Sequence, residues 1–289
     1  ETPILALPRP KLIQDRSSLD ELIGELARHD AIALDTESNS FHAYHERVCL
    51  LQISTRVADY IVDPFAVDPK PLGDLLRDGR ATVLHGADYD VRCLKREFGW
   101  SFPGLFDTLV GAKLLGRPGL GLSALVEAQF GVKLAKVHQR SDWGRRPLDE
   151  AQLRYAASDT HYLLAIYDAL TAELATRSLV DKAKDECRRG AAGEPRPKVF
   201  NPDDYKKLKA ARALEEPGQR VLRALFVARE AAAKASDRPP FKVLAEETMV
   251  EIAKQRPVTR DALARIRGVT PYVMRRLGDA IMAALAEGG

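Results

Sequence analysis

AIALDTE, residues 31–37, is an apolar segment that ends in two acids, Asp35 and Glu37. Short runs rich in branched apolar residues predict β-strands, and successive strand side chains point to opposite faces. Asp35 and Glu37 are two residues apart, so they point the same way. Two adjacent carboxylates repel each other, and a divalent cation relieves that repulsion. We therefore predict a strand that carries a metal site, against the alternative of two solvated acids at a strand end.

The segments around this strand predict a mixed α/β domain. Three further strands are expected at residues 48–55, 60–62 and 81–85, because branched apolar residues cluster there between polar turns. Ser18 and Glu21 form a capping-box pattern at the start of a first helix. Apolar spacing predicts helices at about 109–115 and 122–130, a helix that carries Asp90, and a long closing helix from near Leu148 through Leu170.

The C-terminal third predicts a separate helical bundle. The stretch GAAGEPRPKVFNPDD, residues 190–204, has no apolar period and contains two glycines and three prolines, as linkers do. Beyond it, apolar residues recur at helical spacing, and Thr270 followed by Pro271 is a well-formed helix start. We predict an α/β domain over residues 1–190, a linker over 191–209 and a smaller all-α domain over 210–289.

Composition and charge narrow the functional class. The chain has 45% hydrophobic and 29% charged residues, as globular proteins do. No run approaches 18 apolar residues and the first ten residues lack a signal-peptide pattern, so we expect a cytoplasmic protein that does not enter the membrane. Three scattered cysteines predict buried thiols and neither a zinc site nor a disulfide framework: Cys49, Cys93 and Cys187.

The charge is distributed unevenly along the chain. Residues 1–100 carry 12 Lys or Arg against 17 Asp or Glu, a net charge of −5, and residues 101–289 carry 32 against 24, a net charge of +8. A basic half suits a polyanion, and an acidic half tolerates one when cations lie between them. The pattern favours nucleic acid handled through bound metal, with an ordinary solvated surface as the alternative.

Two further elements bear acids in positions that could join the first pair. In LHGADYDVRCL, residues 84–94, Asp90 precedes the buried helix positions Cys93 and Leu94. In RYAASDTHYLL, residues 154–164, Tyr155 and Asp159 are four residues apart on one helix face. Each motif alone is more often structural, as a partnered acid or a hydroxyl bonded to a nearby carboxylate. The three together, in this order, point to one site.

The combined pattern resembles the DEDD superfamily of exonucleases, tyrosine subclass, and within it the ribonuclease D family. The motifs are DTE at 35–37, HxxxxDxxxL at 85–94 and YxxxD at 155–159, with KVHQRSDWGRRPL at 136–148 similar to the stretch before the third motif. The segments DTESNSF and SDTHYLLAIYD resemble the corresponding sequences in the branch of the exosome-associated nuclear exonuclease. Residues 210–289 resemble one helicase and ribonuclease D C-terminal (HRDC) domain, a helical nucleic-acid-binding bundle.

This resemblance implies a ribonuclease H-like mixed sheet flanked by helices, and a metal-dependent 3′-5′ exonuclease. It makes Asp35, Glu37, Asp90 and Asp159 the ligands of two divalent ions, Mg²⁺ or Mn²⁺, and gives Tyr155 the task of orienting or deprotonating the attacking water. The implied partner is RNA with a free 3′ end, in the processing of tRNA and other stable RNA or in RNA turnover. We expect a monomer.

Several residues near these motifs are candidates for substrate contact. Phe41 and Tyr44 follow the metal strand and could stack on bases, although Phe41 could equally belong to the core. His85 is interpreted as structural or RNA-facing. Four candidates lie in the stretch before the third motif: Lys136, Gln139, Trp143 and Arg146. Of these, Lys136 or Arg146 could contact the scissile or a neighbouring phosphate. Two alternatives stay open, an exonuclease that acts mainly on DNA and a catalytically silent nucleic-acid-binding module.

Overall fold

The computed structural model describes residues 7–195 and 199–288, which form two compact units. The first unit contains residues 7–39 and 47–195, and the second contains residues 40–46 and 199–288. The predicted linker over 191–209 is partly structured, since a helix extends to Ala191 and Tyr205 is 6% exposed in the core of the second unit. Residues 196–198 of that linker and residues 1–6 lie outside the described residues.

The first unit contains a sheet of six strands among its described residues. The strands are β1 (Lys11–Ile13), β2 (Ala31–Ser38), β3 (Val48–Ser54), β4 (Asp59–Val62), β5 (Ala81–Leu84) and β6 (Leu105–Asp107). The helices are α1 (Arg16–Leu26), α2 (Lys70–Leu76), α3 (Asp88–Phe98), α4 (Thr108–Leu114), α5 (Leu122–Phe130), α6 (Glu150–His161), α7 (Leu163–Thr176) and α8 (Val180–Ala191).

The strand order β1-β4-β3-β2-β5-β6 puts β2 and β3 at the centre of the sheet. β3 is antiparallel to both β2 and β4, whereas β2 and β5, β5 and β6, and β1 and β4 are parallel pairs. Every residue of β3 is buried because helices cover both faces of the sheet. Leu51 packs in the core with α1 and α3, and its neighbour Leu50 packs in the core with α6. The predicted mixed sheet flanked by helices is confirmed.

Two local predictions for this unit were wrong, and two short strands were not predicted. The predicted long helix from Leu148 to Leu170 is two helices, α6 and α7, which are separated at Tyr162. The first helix begins at Arg16, and its N-cap is Asp15, whose side chain accepts a hydrogen bond from the Ser18 N–H. β1 and β6 were not predicted, because three residues are too few for an alternating pattern to stand out.

The second unit is helical, as its apolar spacing predicts. Its helices are α9 (Glu216–Ala235), α10 (Pro240–Val243), α11 (Glu246–Gln255), α12 (Arg260–Ala264) and α13 (Pro271–Gly288), with short 3₁₀ turns at Pro202–Lys207 and Ala211–Ala213. The Thr270 hydroxyl caps α13 by accepting from the Val273 N–H, so this predicted helix start is confirmed. No helix within the described residues is both long and apolar enough to cross a bilayer.

Candidate active site

The first two predicted acids lie on β2, one of the two central strands of the sheet. Asp35 and Glu37 lie on the same face of β2, and both side chains are partly buried. The register between β2 and β3 shifts between Glu37 and Ser38, so the regular pairing is interrupted directly after the second acid. Such irregularities redirect side chains at the ends of strands and are common beside functional sites. The regular part of the strand pairing therefore ends directly after the two carboxylates.

The third acid, Asp90, reaches this end of the sheet from the first turn of α3 and is 6% exposed. Its carboxylate accepts a hydrogen bond from the hydroxyl of Thr36, which lies between the first two acids. The turn that leads into α3 is held by Asp107, whose carboxylate accepts from the N–H groups of Gly86 and Ala87 at 2.8 and 2.9 Å. Two side chains that the sequence interpretation missed therefore fix Asp90.

The fourth acid, Asp159, lies one turn after Tyr155 on α6. This helix begins with a complete capping box between Asp149 and Gln152, which fixes its start. The predicted pairing of a tyrosine and an acid on one helix face is therefore present. Since both residues lie on a helix of 12 residues, their spacing is held by backbone hydrogen bonds.

A chain of buried hydrogen bonds fixes the end of α6 directly after Asp159. The Ser54 hydroxyl donates to Asp59 at 2.6 Å and lies 2.7 Å from the Thr160 hydroxyl oxygen. The other oxygen of the Asp59 carboxylate is 2.7 Å from Nδ1 of His161. This chain of hydrogen bonds joins the last turn of α6 to β3 and β4 and so fixes the backbone directly after Asp159. The sequence did not predict these contacts.

The four acids share one electrostatic environment. Burial and the neighbouring carboxylates of Asp90 and Asp159 raise the pKa of Asp35 well above its usual range. The same causes raise the pKa of Glu37 to about 9, and burial with the charge of Asp90 raises the pKa of Asp159 to about 7. Burial raises the pKa of Asp90 to about 6, although the Thr36 hydrogen bond opposes the rise. These shifts show that the four carboxylates lie close together and lack positive charge.

A divalent cation fits this donor set. Four carboxylates offer only oxygen atoms, which are the ligands that Mg²⁺ and Mn²⁺ take in proteins. Within residues 7–195 and 199–288, no three His, Cys, Asp or Glu side chains already stand in an arrangement that could hold an ion. The acids are therefore gathered in one region but are not closed around a point. Their raised pKa values reflect an excess of negative charge that a cation would neutralise.

Tyr155 is packed between aromatic side chains. The ring of Trp143 stacks on it at 6.0 Å between centroids, and the ring of His138 meets its edge at 5.5 Å. Burial, followed by the charge of Asp159, raises the pKa of Tyr155 above its usual value near 10. Tyr155 is therefore a neutral phenol at pH 7. Trp143, a predicted substrate contact, is 1% exposed and acts here as a support for Tyr155.

Arg146, another predicted phosphate contact, is fully engaged within the protein. Its guanidinium binds the Asp63 carboxylate at 2.8 Å through both Nε and Nη2. Its other N–H groups donate to the carbonyl oxygens of Cys49, Trp143 and Arg145 at 2.7 to 2.9 Å. A guanidinium has five N–H donors, and all five are used here. The geometry therefore gives Arg146 the task of anchoring the loop before α6, and it does not favour the predicted phosphate contact.

The remaining substrate candidates are dispersed. Lys136 and Gln139 are exposed on the loop before α6. His85 contacts the Thr108 hydroxyl at 2.9 Å, and burial lowers the pKa of its imidazole, so it is neutral and structurally engaged. Phe41, 51% exposed, and Tyr44 belong to residues 40–46, which group with the second unit. In that unit the Tyr44 hydroxyl donates to Glu230 at 2.6 Å.

Comparison with known proteins agrees with this geometry. A model described as a 3′-5′ exonuclease matches residues 10–175, and a model of the HRDC domain matches residues 218–285. A ribonuclease D from Gluconacetobacter diazotrophicus is 33% identical over 286 residues, which cover 96% of this chain and 72% of that protein. The chain belongs to the ribonuclease D family. Exonucleases of this family depend on divalent metal ions, as the donor set of the site requires.

The RRP6 proteins are similar to this member of the ribonuclease D family. An RRP6-like protein of Arabidopsis thaliana is 32% identical over 95% of this chain, and the match spans only 45% of the plant protein. The catalytic core of RRP6 from Trypanosoma brucei superimposes with a TM-score of 0.89 at 28% identity, and covers 98% of this chain and 80% of that one. The predicted resemblance to the family is confirmed. The chain spans less than half the length of the Arabidopsis relative.

Proposed function

We propose that this protein is a divalent-metal-dependent 3′-5′ exoribonuclease. It would remove nucleotides one at a time from free RNA 3′ ends and release nucleoside 5′-monophosphates. The observation that carries the proposal is a set of four buried or partly buried carboxylates from β2, α3 and α6 beside a neutral tyrosine, in which the charge of Asp90 helps to raise the pKa of the other three. Relatives named ribonuclease D support RNA as the substrate.

Asp35, Glu37, Asp90 and Asp159 would hold two ions, Mg²⁺ or Mn²⁺. When bound, such ions supply positive charge to the entering and leaving oxygens of a phosphodiester and lower the pKa of water. The protein's own contribution is to keep the four carboxylates ionised and in place. The supports of Asp90 and Asp159, which are Thr36, Asp107 and the Asp59 chain, serve this purpose.

Tyr155 would orient the attacking water. In the metal-free protein its pKa lies above 10, so at pH 7 its hydroxyl carries a proton and can donate a hydrogen bond, which favours the positioning of water over its deprotonation. Trp143 and His138 hold the ring from two sides and so fix the direction of the hydroxyl. The resemblance implies that Tyr155 either orients or deprotonates the attacking water, and these contacts favour orientation.

Contacts to the RNA chain would come from exposed basic and aromatic side chains. Lys136 and Gln139 are the exposed candidates on the loop before α6, and Phe41 is an exposed aromatic ring. Residues 101–289 carry the net positive charge that a polyanion favours. The proposal includes a cytoplasmic monomer, which three buried cysteines outside any disulfide suit. RNA processing or turnover would be its setting.

The test compares 5′-labelled RNA and DNA of one sequence, with free or phosphate-blocked 3′ ends, in Mg²⁺, Mn²⁺ or chelator. The wild type should shorten only the free-ended RNA stepwise, and chelator should stop it. Asp159→Asn should lower the rate about a thousandfold, because metal-borne charge contributes several kcal/mol to such reactions. Tyr155→Phe should lower kcat about a hundredfold while Mn²⁺ still binds.

Asp149→Asn is the matched control: it removes an exposed charge from the start of the same helix, and Asn, as good an N-cap as Asp, keeps the oxygen that accepts from the Gln152 N–H. It should cleave RNA as fast as the wild type. Undiminished cleavage by Asp159→Asn would refute the site. Equal degradation of the DNA would contradict the assignment of RNA as the preferred substrate.

A further inference from the structure

Gln52 is a buried amide without a hydrogen-bond partner at the centre of the sheet. It lies in the middle of β3 and is 0% exposed. Among the described residues, neither its Oε1 nor its Nε2 has a partner. Buried side-chain amides are nearly always hydrogen bonded, because an unpaired amide loses its hydration without compensation. An amide at this position therefore calls for a functional explanation.

The sheet register places Gln52 beside a proposed metal ligand. Gln52 is directly opposite Asp35 on β2 and opposite Ile61 on β4. Side chains of directly opposed residues share a face, with Cβ atoms about 4.5 to 5.5 Å apart. Ile61 is apolar and fully buried, so its side chain has no atom that can form a hydrogen bond with the amide. Of the two cross-strand neighbours, Asp35 alone can exchange a hydrogen bond with Gln52.

The neighbours of Gln52 along β3 do not compete for the amide. Leu50, two residues earlier on the same face, is apolar and buried. Ser54, two residues later, already uses its hydroxyl with Asp59 and Thr160. Along β3, Ser54 on one side of Gln52 therefore has a hydroxyl that is already hydrogen bonded, and Leu50 on the other side has no polar side-chain atom. Within the sheet, the carboxylate of Asp35 is therefore the group toward which the amide can turn.

We propose that Gln52 is a positioning residue for Asp35. Its Nε2 donates a hydrogen bond to the Asp35 carboxylate when a divalent cation is bound, and thereby fixes which oxygen faces the cation. The proposal rests on the proposed function, since it takes Asp35 as a ligand. It joins two observations: the acids are gathered but not closed, and the amide beside them is unpaired. Hydrogen bonds to metal-ligating carboxylates orient the ligand and raise metal affinity.

The test measures Mn²⁺ binding by calorimetry without RNA, together with the melting temperature in chelator. Gln52→Met keeps the length of the side chain and removes both polar atoms. Mn²⁺ affinity should fall about tenfold or more. The melting temperature in chelator should not fall, since the variant buries no unpaired amide. Ile53→Val is the control: it changes the adjacent β3 residue, which faces the other core, and should leave Mn²⁺ affinity unchanged.

Unchanged Mn²⁺ affinity in Gln52→Met would overturn the proposal, because a merely structural amide would affect only melting. If Gln52→Met does not fold, a crystal structure of the wild type with Mn²⁺ decides instead. There, Gln52 Nε2 should lie within hydrogen-bond distance of an Asp35 oxygen, and an Nε2 bonded elsewhere refutes the role. A wild type that binds no Mn²⁺ and cleaves no RNA would instead overturn the proposed function itself, which distinguishes the two failures.

Discussion

The first unit contains two groups of buried acids that are treated in opposite ways. Asp63 is 2% exposed, yet the protein supplies it with a bidentate arginine and the amide of Gln14. Burial alone would raise the pKa of Asp63, but these hydrogen bonds outweigh burial and lower it. Asp35 and Asp159 have only other carboxylates as their main charged neighbours, and their pKa values are raised.

This contrast separates acids that the chain neutralises from the acids of the proposed metal site. An acid that the fold requires receives its compensating donors from the chain, as Asp63 does from Arg146. An acid that the chain leaves uncompensated destabilises the fold unless something from outside neutralises it. The uncompensated group is therefore where an external cation belongs. The following predictions test this contrast, and the largest expected effect comes first.

Arg146→Met should destabilise the protein by about 4 kcal/mol, because it leaves the carboxylate of Asp63 buried without its partner. It also releases three backbone carbonyls of the loop before α6. The loss should be visible as a lower urea midpoint in chelator. Arg145→Met, which changes the adjacent exposed residue, is the control and should stay within about 0.5 kcal/mol of the wild type. Equal losses in both variants would refute the structural role of Arg146.

The metal-free protein should lose about 3 kcal/mol of stability between pH 5 and pH 9. Acids whose pKa is higher in the folded state hold more protons when folded, so deprotonation favours unfolding. The loss begins above the unfolded values near 4 and continues through the folded pKa values of about 6, 7 and 9 for Asp90, Asp159 and Glu37. Urea titrations in chelator measure it. A profile that is flat or rises over this range would show that the four acids are not uncompensated.

Two isosteric substitutions should change stability in opposite directions. At pH 8 in chelator, Asp159→Asn should stabilise the fold by about 2 kcal/mol, since it removes one of the mutually repelling charges. Asp63→Asn should destabilise it by about 2 kcal/mol, since it removes the charge that Arg146 requires. The gain from Asp159→Asn should shrink as the pH falls below 7 and disappear only near pH 4, where the wild-type carboxyl is protonated in the unfolded state as well. Shifts of the same sign at pH 8 would contradict the contrast.

The elements that the sequence predicted well are those with local patterns. β2, β3 and α5 have apolar or helical periods that depend only on neighbouring residues, and their observed bounds lie within one residue of those predicted. Asp35 with Glu37, and Tyr155 with Asp159, follow from the geometry of one strand and one helix. The family resemblance joined these local pairs into one site.

The features that could not be predicted depend on distant pairs. Arg146 and Asp63 are 83 residues apart, and nothing near Arg146 in the sequence separates an anchor from a phosphate contact. The break between α6 and α7 at Tyr162 has no glycine or proline to mark it. Gln52 becomes noticeable only when the register sets it opposite Asp35. A partial signal for Thr36 was available, since it stands between two acids that both face the other way.

Asp107 makes the placement of Asp90 depend on the edge of the sheet. It ends the three-residue strand β6, and its carboxylate accepts both N–H groups of the turn before α3 and the N–H of Leu109 in α4. Any transplant of α3 into another scaffold would therefore need this remote acid as well. Changes at the outer edge of this domain would therefore displace Asp90, a proposed metal ligand, without altering any of the four acids.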